Sequence, residues 1–80
     1  ADRTIISPEG EAWVERYLPI GEGTRWEVFN GEGQWLGFVA LPGQYRLLGF
    51  GHGTDGREVA YLTRADQYGL KWLERHRVLR

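Results

Sequence analysis

Trp26-Glu27-Val28-Phe29-Asn30-Gly31-Glu32-Gly33-Gln34-Trp35-Leu36-Gly37 is the stretch that decides how this chain folds. Aromatic and β-branched residues, which favour strands, run up to Phe29, and a second such run starts at Trp35. Between them Asn30-Gly31-Glu32-Gly33 supplies the residues that tolerate left-handed backbone. The segment reads as a β-hairpin.

Similar punctuation recurs on both sides. Pro8-Glu9-Gly10 is a tight turn in which Pro fixes φ and Gly accepts a positive one, and Thr54-Asp55-Gly56 is another such loop. Gly or Pro interrupts the chain every few residues as far as Gly56, and no interior window keeps an i, i+3, i+4, i+7 apolar spacing. Only 68–80 is long enough for a helix. There Leu70, Trp72 and Val78 alternate with bases about as well as they fit a helix. The reading is seven short strands at 4–7, 11–18, 24–29, 35–41, 45–50, 57–64 and 70–79. That is an all-β, antiparallel signature of a propeller, a sandwich or a small barrel.

Composition bounds what such a fold does. The 80 residues, 9.2 kDa, amount to a single small domain or a domain fragment, 1–80. With 12 Gly, 4 Trp, 4 Tyr and 3 Phe but no Cys, the chain has no disulfide staple, thiol nucleophile or cysteine metal site. A hydrophobic fraction of 41% against 26% charged is ordinary for a folded domain. Stability then has to come from the aromatics, from oligomerisation or from a larger partner. No apolar run approaches the roughly 20 residues that span a bilayer; 38–41 is the most sustained, so no membrane insertion is expected.

Net charge is −1, which gives no global reason to expect nucleic acid. Its distribution is uneven. Residues 1–40 hold seven acids against three arginines, whereas 41–80 hold seven bases against four acids. The surplus gathers in Lys71, Arg75, Arg77 and Arg80, either a patch for an anionic partner or arginines that guard an exposed edge.

An internal repeat narrows the architecture. Ala12-Trp13-Val14-Glu15-Arg16 matches Ala60-Tyr61-Leu62-Thr63-Arg64, and Thr24-Arg25-Trp26 echoes Leu70-Lys71-Trp72. A period in the mid-forties with four strands per unit is that of a propeller blade. The residues themselves carry a family likeness. Ile5-Ile6-Ser7-Pro8-Glu9-Gly10-Glu11-Ala12-Trp13-Val14 resembles the first two strands of a blade in six-bladed, NHL-like bacterial propellers. Residues 26–37 are similar to the W-x-V-F-D-x-x-G-x-x-L-G hairpin of strands three and four, with Asn30 in place of Asp. Leu41-Pro42-Gly43-Gln44-Tyr45-Arg46-Leu47-Leu48 resembles the start of the next blade's inner strand.

The resemblance implies one complete four-stranded blade at 4–41 and a three-stranded partial blade at 45–79. A closed propeller needs roughly four to eight blades. Three resolutions follow: a C-terminal segment of a longer propeller, in keeping with a start at Ala1 rather than Met; a trimer closing a six-bladed ring; or an independent small barrel or sandwich. The resemblance also implies a bacterial protein, and the lack of Cys is compatible with an extracytoplasmic setting.

Candidate chemistry is thin. Gly51-His52-Gly53-Thr54-Asp55-Gly56 has the G-x-G-x-x-G form, but a strand rather than a helix follows it, so no helix dipole would hold a phosphate. His52 and Asp55 with Ser7 lack a nucleophile elbow. Two His and no Cys make a poor metal set. The acids Glu9, Glu11, Glu15, Glu22, Glu27 and Glu32 read as exposed strand and loop positions. No catalytic residue, metal or cofactor is assigned. The aromatics, Trp13, Trp26, Trp35 and Trp72 with Tyr17, Phe29, Phe38 and Tyr61, read first as packing. Arg25-Trp26 and Lys71-Trp72 set cations beside aromatics.

The expectation is a non-enzymatic binding or scaffolding module that meets a protein partner or copies of itself. Its interaction surface would draw on Trp26, Trp35, Trp72, Arg75, Arg77 and Arg80. Other readings are a fragment of a larger propeller enzyme or ligand-binding protein, and a small barrel that binds an anionic partner through its basic last strand.

Overall fold

A computed structural model describes residues 3–19 and 21–79. It is all-β, with no helix among the described residues, and so contains no helix able to cross a membrane. Seven strands form two antiparallel sheets: β1 (Thr4–Ile6), β2 (Ala12–Tyr17), β3 (Thr24–Phe29) and β4 (Trp35–Leu41) in one, β5 (Tyr45–His52), β6 (Glu58–Ala65) and β7 (Lys71–Arg77) in the other. In each sheet the strands lie side by side in chain order, an up-and-down meander. The sheets belong to two compact units, Ala1–Gly43 and Gln44–Arg80. The ambiguous tail is strand β7, and Gly51-His52 continues β5 instead of opening a loop.

Four of the connections share one design. In each, a first residue donates its N–H to a carbonyl four residues on and accepts from the N–H three residues on. The first residues are Ser7, Asn30, Gly53 and Asp66. The fourth residue is always glycine in the left-handed region: Gly10, Gly33, Gly56 and Gly69, with φ between 78° and 83°. This is the three-residue hairpin loop, a type I turn closed by a left-handed residue. Side chains lock it from within. Asn30 Oδ1 accepts the N–H groups of Glu32 and Gln34, and Asp66 Oδ1 accepts those of Tyr68 and Leu70, each at 2.9 Å.

In the first unit the register sets Trp13 opposite Val28 and Glu15 opposite Trp26. Opposed residues in an antiparallel pair point to one side, so these four share a face, and all four are buried. Trp26 is its centre at 0% exposure. Removing roughly 200 Å² of indole from water is worth about 5 kcal/mol. Glu15 is tolerated there because Arg3 lies 3.6 Å away, the same guanidinium sitting 5.4 Å from the Trp26 ring centre. In the second unit Leu47 opposes Leu62 across β5 and β6, and both are buried with Val59 and Ala60.

The likeness of Trp26 to Trp72 does not extend to their placement. Trp26 shares its side of the sheet with Glu15 and, two positions along, Trp13. Trp72 lies opposite Arg64, one residue out of step with Thr63, so it projects from the side opposite to Tyr61 and Thr63.

Candidate interaction surfaces

Two surfaces gather exposed aromatic and charged side chains. The first is the side of the β1–β4 sheet opposite Trp26. A bulge between β3 and β4 places Leu36 as the extra residue, with Val28 opposite Gly37 and Phe29 opposite Trp35. Gly37 bends through it at φ 145°, a conformation a side chain would strain. Strict alternation would send Trp35 to the Trp26 side. The bulge turns it over, where its indole N–H donates to Glu27 Oε1 at 2.8 Å.

Glu27 is the hub of this surface. Its other oxygen, Oε2, accepts from Arg25 Nε, and the Arg25 guanidinium lies 3.8 Å from the Phe38 ring centre. Trp35 and Phe38 remain 55% and 52% exposed. Desolvation is the largest single influence on the Glu27 carboxyl and raises its pKa. The Trp35 and Arg25 hydrogen bonds, with the charges of Arg25 and Arg16, together outweigh it, and Glu27 titrates below its ordinary 4.5.

A depressed folded-state pKa gives stability that is complete above 4.5 and lost as pH falls through the lower folded value. In an NMR titration the Glu27 side-chain carbon should have its midpoint below 4.5, with the Trp35 indole N–H moving in step. A midpoint at or above 4.5 contradicts this arrangement, and Glu27→Gln should abolish the indole transition.

The second surface belongs to the β5–β7 sheet, whose charges are sorted by side. On one side Glu74 pairs with Arg64 at 3.0 Å and with His76 at 2.8 Å, and Arg64 sits 5.0 Å from the Trp72 ring centre. On the other, Lys71, Leu73, Arg75 and Arg77 alternate along β7, and Arg46 stands on β5 opposite Thr63. Tyr61 occupies the middle strand, its ring close over Gly51. None of the strand residues on this side is acidic.

The residues singled out in the sequence therefore part ways. Trp26 leaves the interaction set, because a side chain with no exposure presents nothing to a partner. Trp35 lies on the first surface. Arg75 and Arg77 come together on the basic side of the second, while Trp72, 44% exposed, projects from its opposite side. Arg80 lies outside the described residues.

Neighbours in sequence do not make the cation–aromatic pairs. Successive strand residues point to opposite sides, so Arg25 meets Phe38 rather than Trp26, and Arg64 rather than Lys71 meets Trp72. Glu27, Phe38, Arg46 and Arg64 complete the surfaces; the i, i+2 spacing of Arg25 and Glu27 was the available signal. Ser7 and Asp55 are occupied locally. The Ser7 hydroxyl lies 3.3 Å from Glu11 Oε1, and Asp55 Oδ1 accepts the Arg57 N–H at 3.0 Å. Among the described residues no three His, Asp or Glu side chains gather as metal ligands. Compared with family models, curated proteins and solved structures, the chain matches none.

Proposed function

We propose that this chain is a non-catalytic, propeller-type binding module: two consecutive blade-like meanders that assemble with copies of themselves or with further blades. The observation that carries the reading is the pair of sheets, one of four strands and one of three, each with its strands in chain order. A blade of a propeller has this up-and-down topology, and a blade covers its sides only when other blades flank it. Each sheet has a side with exposed aromatic groups that fits that need. Trp35 and Phe38 in the first unit and Trp72 in the second are large aromatic groups left exposed. Their surroundings are charged groups already paired within the sheet, a composition suited to protein contact rather than to catalysis.

Acrylamide quenching of tryptophan fluorescence across a concentration series tests the reading. Trp13 and Trp26 are buried at any concentration, so the change reports Trp35 and Trp72. The quenchable fraction is expected to fall as protein concentration rises. A quenchable fraction independent of concentration overturns self-assembly through these sides.

A further inference from the structure

Four strands end the two sheets: β1 and β4 in the first, β5 and β7 in the second. An end strand offers unpaired backbone N–H and C=O groups along its outer edge, and folded proteins guard such edges with charge, proline or brevity. Three of the four are guarded. β1 has three residues, β5 carries Arg46, and β7 carries Lys71, Arg75 and Arg77. β4 is different: Trp-Leu-Gly-Phe-Val-Ala-Leu contains neither a charge nor a proline, and Trp35, Leu36, Phe38, Val39 and Ala40 are all exposed. Among the described residues it pairs with β3 alone.

We infer that the outer edge of β4 docks a second copy of this chain, β4 pairing antiparallel with its counterpart about Val39. The bulge is confined to Leu36 and Gly37, so Phe38 to Leu41 stay in regular register with β3. Pairing about Val39 sets Phe38 against the small Ala40 of the other copy and Gly37 against Leu41, large beside small at each step. The Arg25 guanidinium already holds the Phe38 ring against the sheet.

Self-pairing suits this strand. β4 brings no like charges together, whereas β7 against itself would oppose Lys71 and Arg77, which is destabilising. A symmetric contact uses the β4 edge of both copies and leaves no β4 edge open, so pairing through β4 stops at a dimer instead of growing into a fibre. Two four-stranded sheets become one of eight. The contact runs through a backbone edge and not through the sides of the sheets, so it stands apart from blade-to-blade assembly.

Single cysteines report on it cleanly because the chain has none of its own. Under mild oxidation, Val39→Cys alone, or a mixture of Phe38→Cys with Ala40→Cys, should form covalent dimers at least tenfold faster than Leu73→Cys on β7. Ala40→Glu supplies the second arm. Arg25 lies opposite Ala40 on β3, so the folded chain accommodates the carboxylate. A paired edge would have to desolvate it. Sedimentation should show dimerisation at least tenfold weaker with an unchanged β-sheet circular dichroism spectrum. Cross-linking of Leu73→Cys that equals both β4 arms, or wild-type dimerisation by Ala40→Glu, overturns the inference.

Discussion

Trp26→Ala should unfold the first unit, or leave it so weak that it melts near ambient temperature. Truncating a fully buried tryptophan costs about 3–5 kcal/mol, against a total stability that for small domains starts near 5 kcal/mol. Trp26 has no exposed surface, so the truncation leaves a cavity in the centre of the unit's core, and Arg3 loses the ring it lies against. A graded comparison isolates the cause. The Trp26 indole N–H is buried and finds no acceptor among the described residues. Trp26→Phe keeps a ring in place and deletes that unsatisfied donor, so its loss should stay under about 2 kcal/mol. Denaturant titrations of the three proteins check both the size and the order. Equal losses for Ala and Phe would mean that the indole is not packed as described.

Gly23→Ala carries the second large effect. Gly21 and Gly23 both sit at φ 87° in the β2–β3 connection, so alanine at either pays the same conformational penalty of about 1–2 kcal/mol. Their surroundings differ. A methyl on Gly21 meets nothing, whereas one on Gly23 would overlap the Leu41 carbonyl oxygen and crowd the backbone of Pro42 and Gly43 at 2.9 and 3.0 Å. Backbone cannot step aside as a flexible side chain can, and overpacking adds about 1–3 kcal/mol. Gly23→Ala is therefore expected to cost about 3 kcal/mol or more, and Gly21→Ala about 1–2. Thermal melts of the pair check this, and near-equal shifts would contradict the close approach of the loop to the end of β4.

Much of the fold was legible because local chemistry and tertiary structure agree. Strands 24–29 and 35–41 stand where alternation and the Asn30–Gly33 loop placed them. The Asp66 loop was the harder one. It has the same side-chain lock as Asn30, but Gln67 and Tyr68 at its tip carry little turn signal, and the helix-length run beyond them obscured its Gly69.

The surfaces were less legible, and for one reason. Which side a strand residue faces depends on register and bulges, which sequence alternation alone does not reveal. The Leu36 bulge moves Trp35 from the side of Trp26 to the side of Glu27. The β6–β7 register puts Trp72 with Arg64. Arg25-Trp26 and Lys71-Trp72 were adjacent pairs in sequence but lie on opposite sides in space. The charge asymmetry between the two halves was visible as a sum, yet only the register shows Arg46 joining Lys71, Arg75 and Arg77 on one side while Glu74 turns to the other.

We propose that these two meanders act as an assembling module. Light scattering on the wild-type chain over a dilution series measures that directly. The expected mass is a multiple of 9.2 kDa at high concentration, declining towards 9.2 kDa on dilution. A folded, cooperatively melting monomer of 9.2 kDa at every concentration would contradict it.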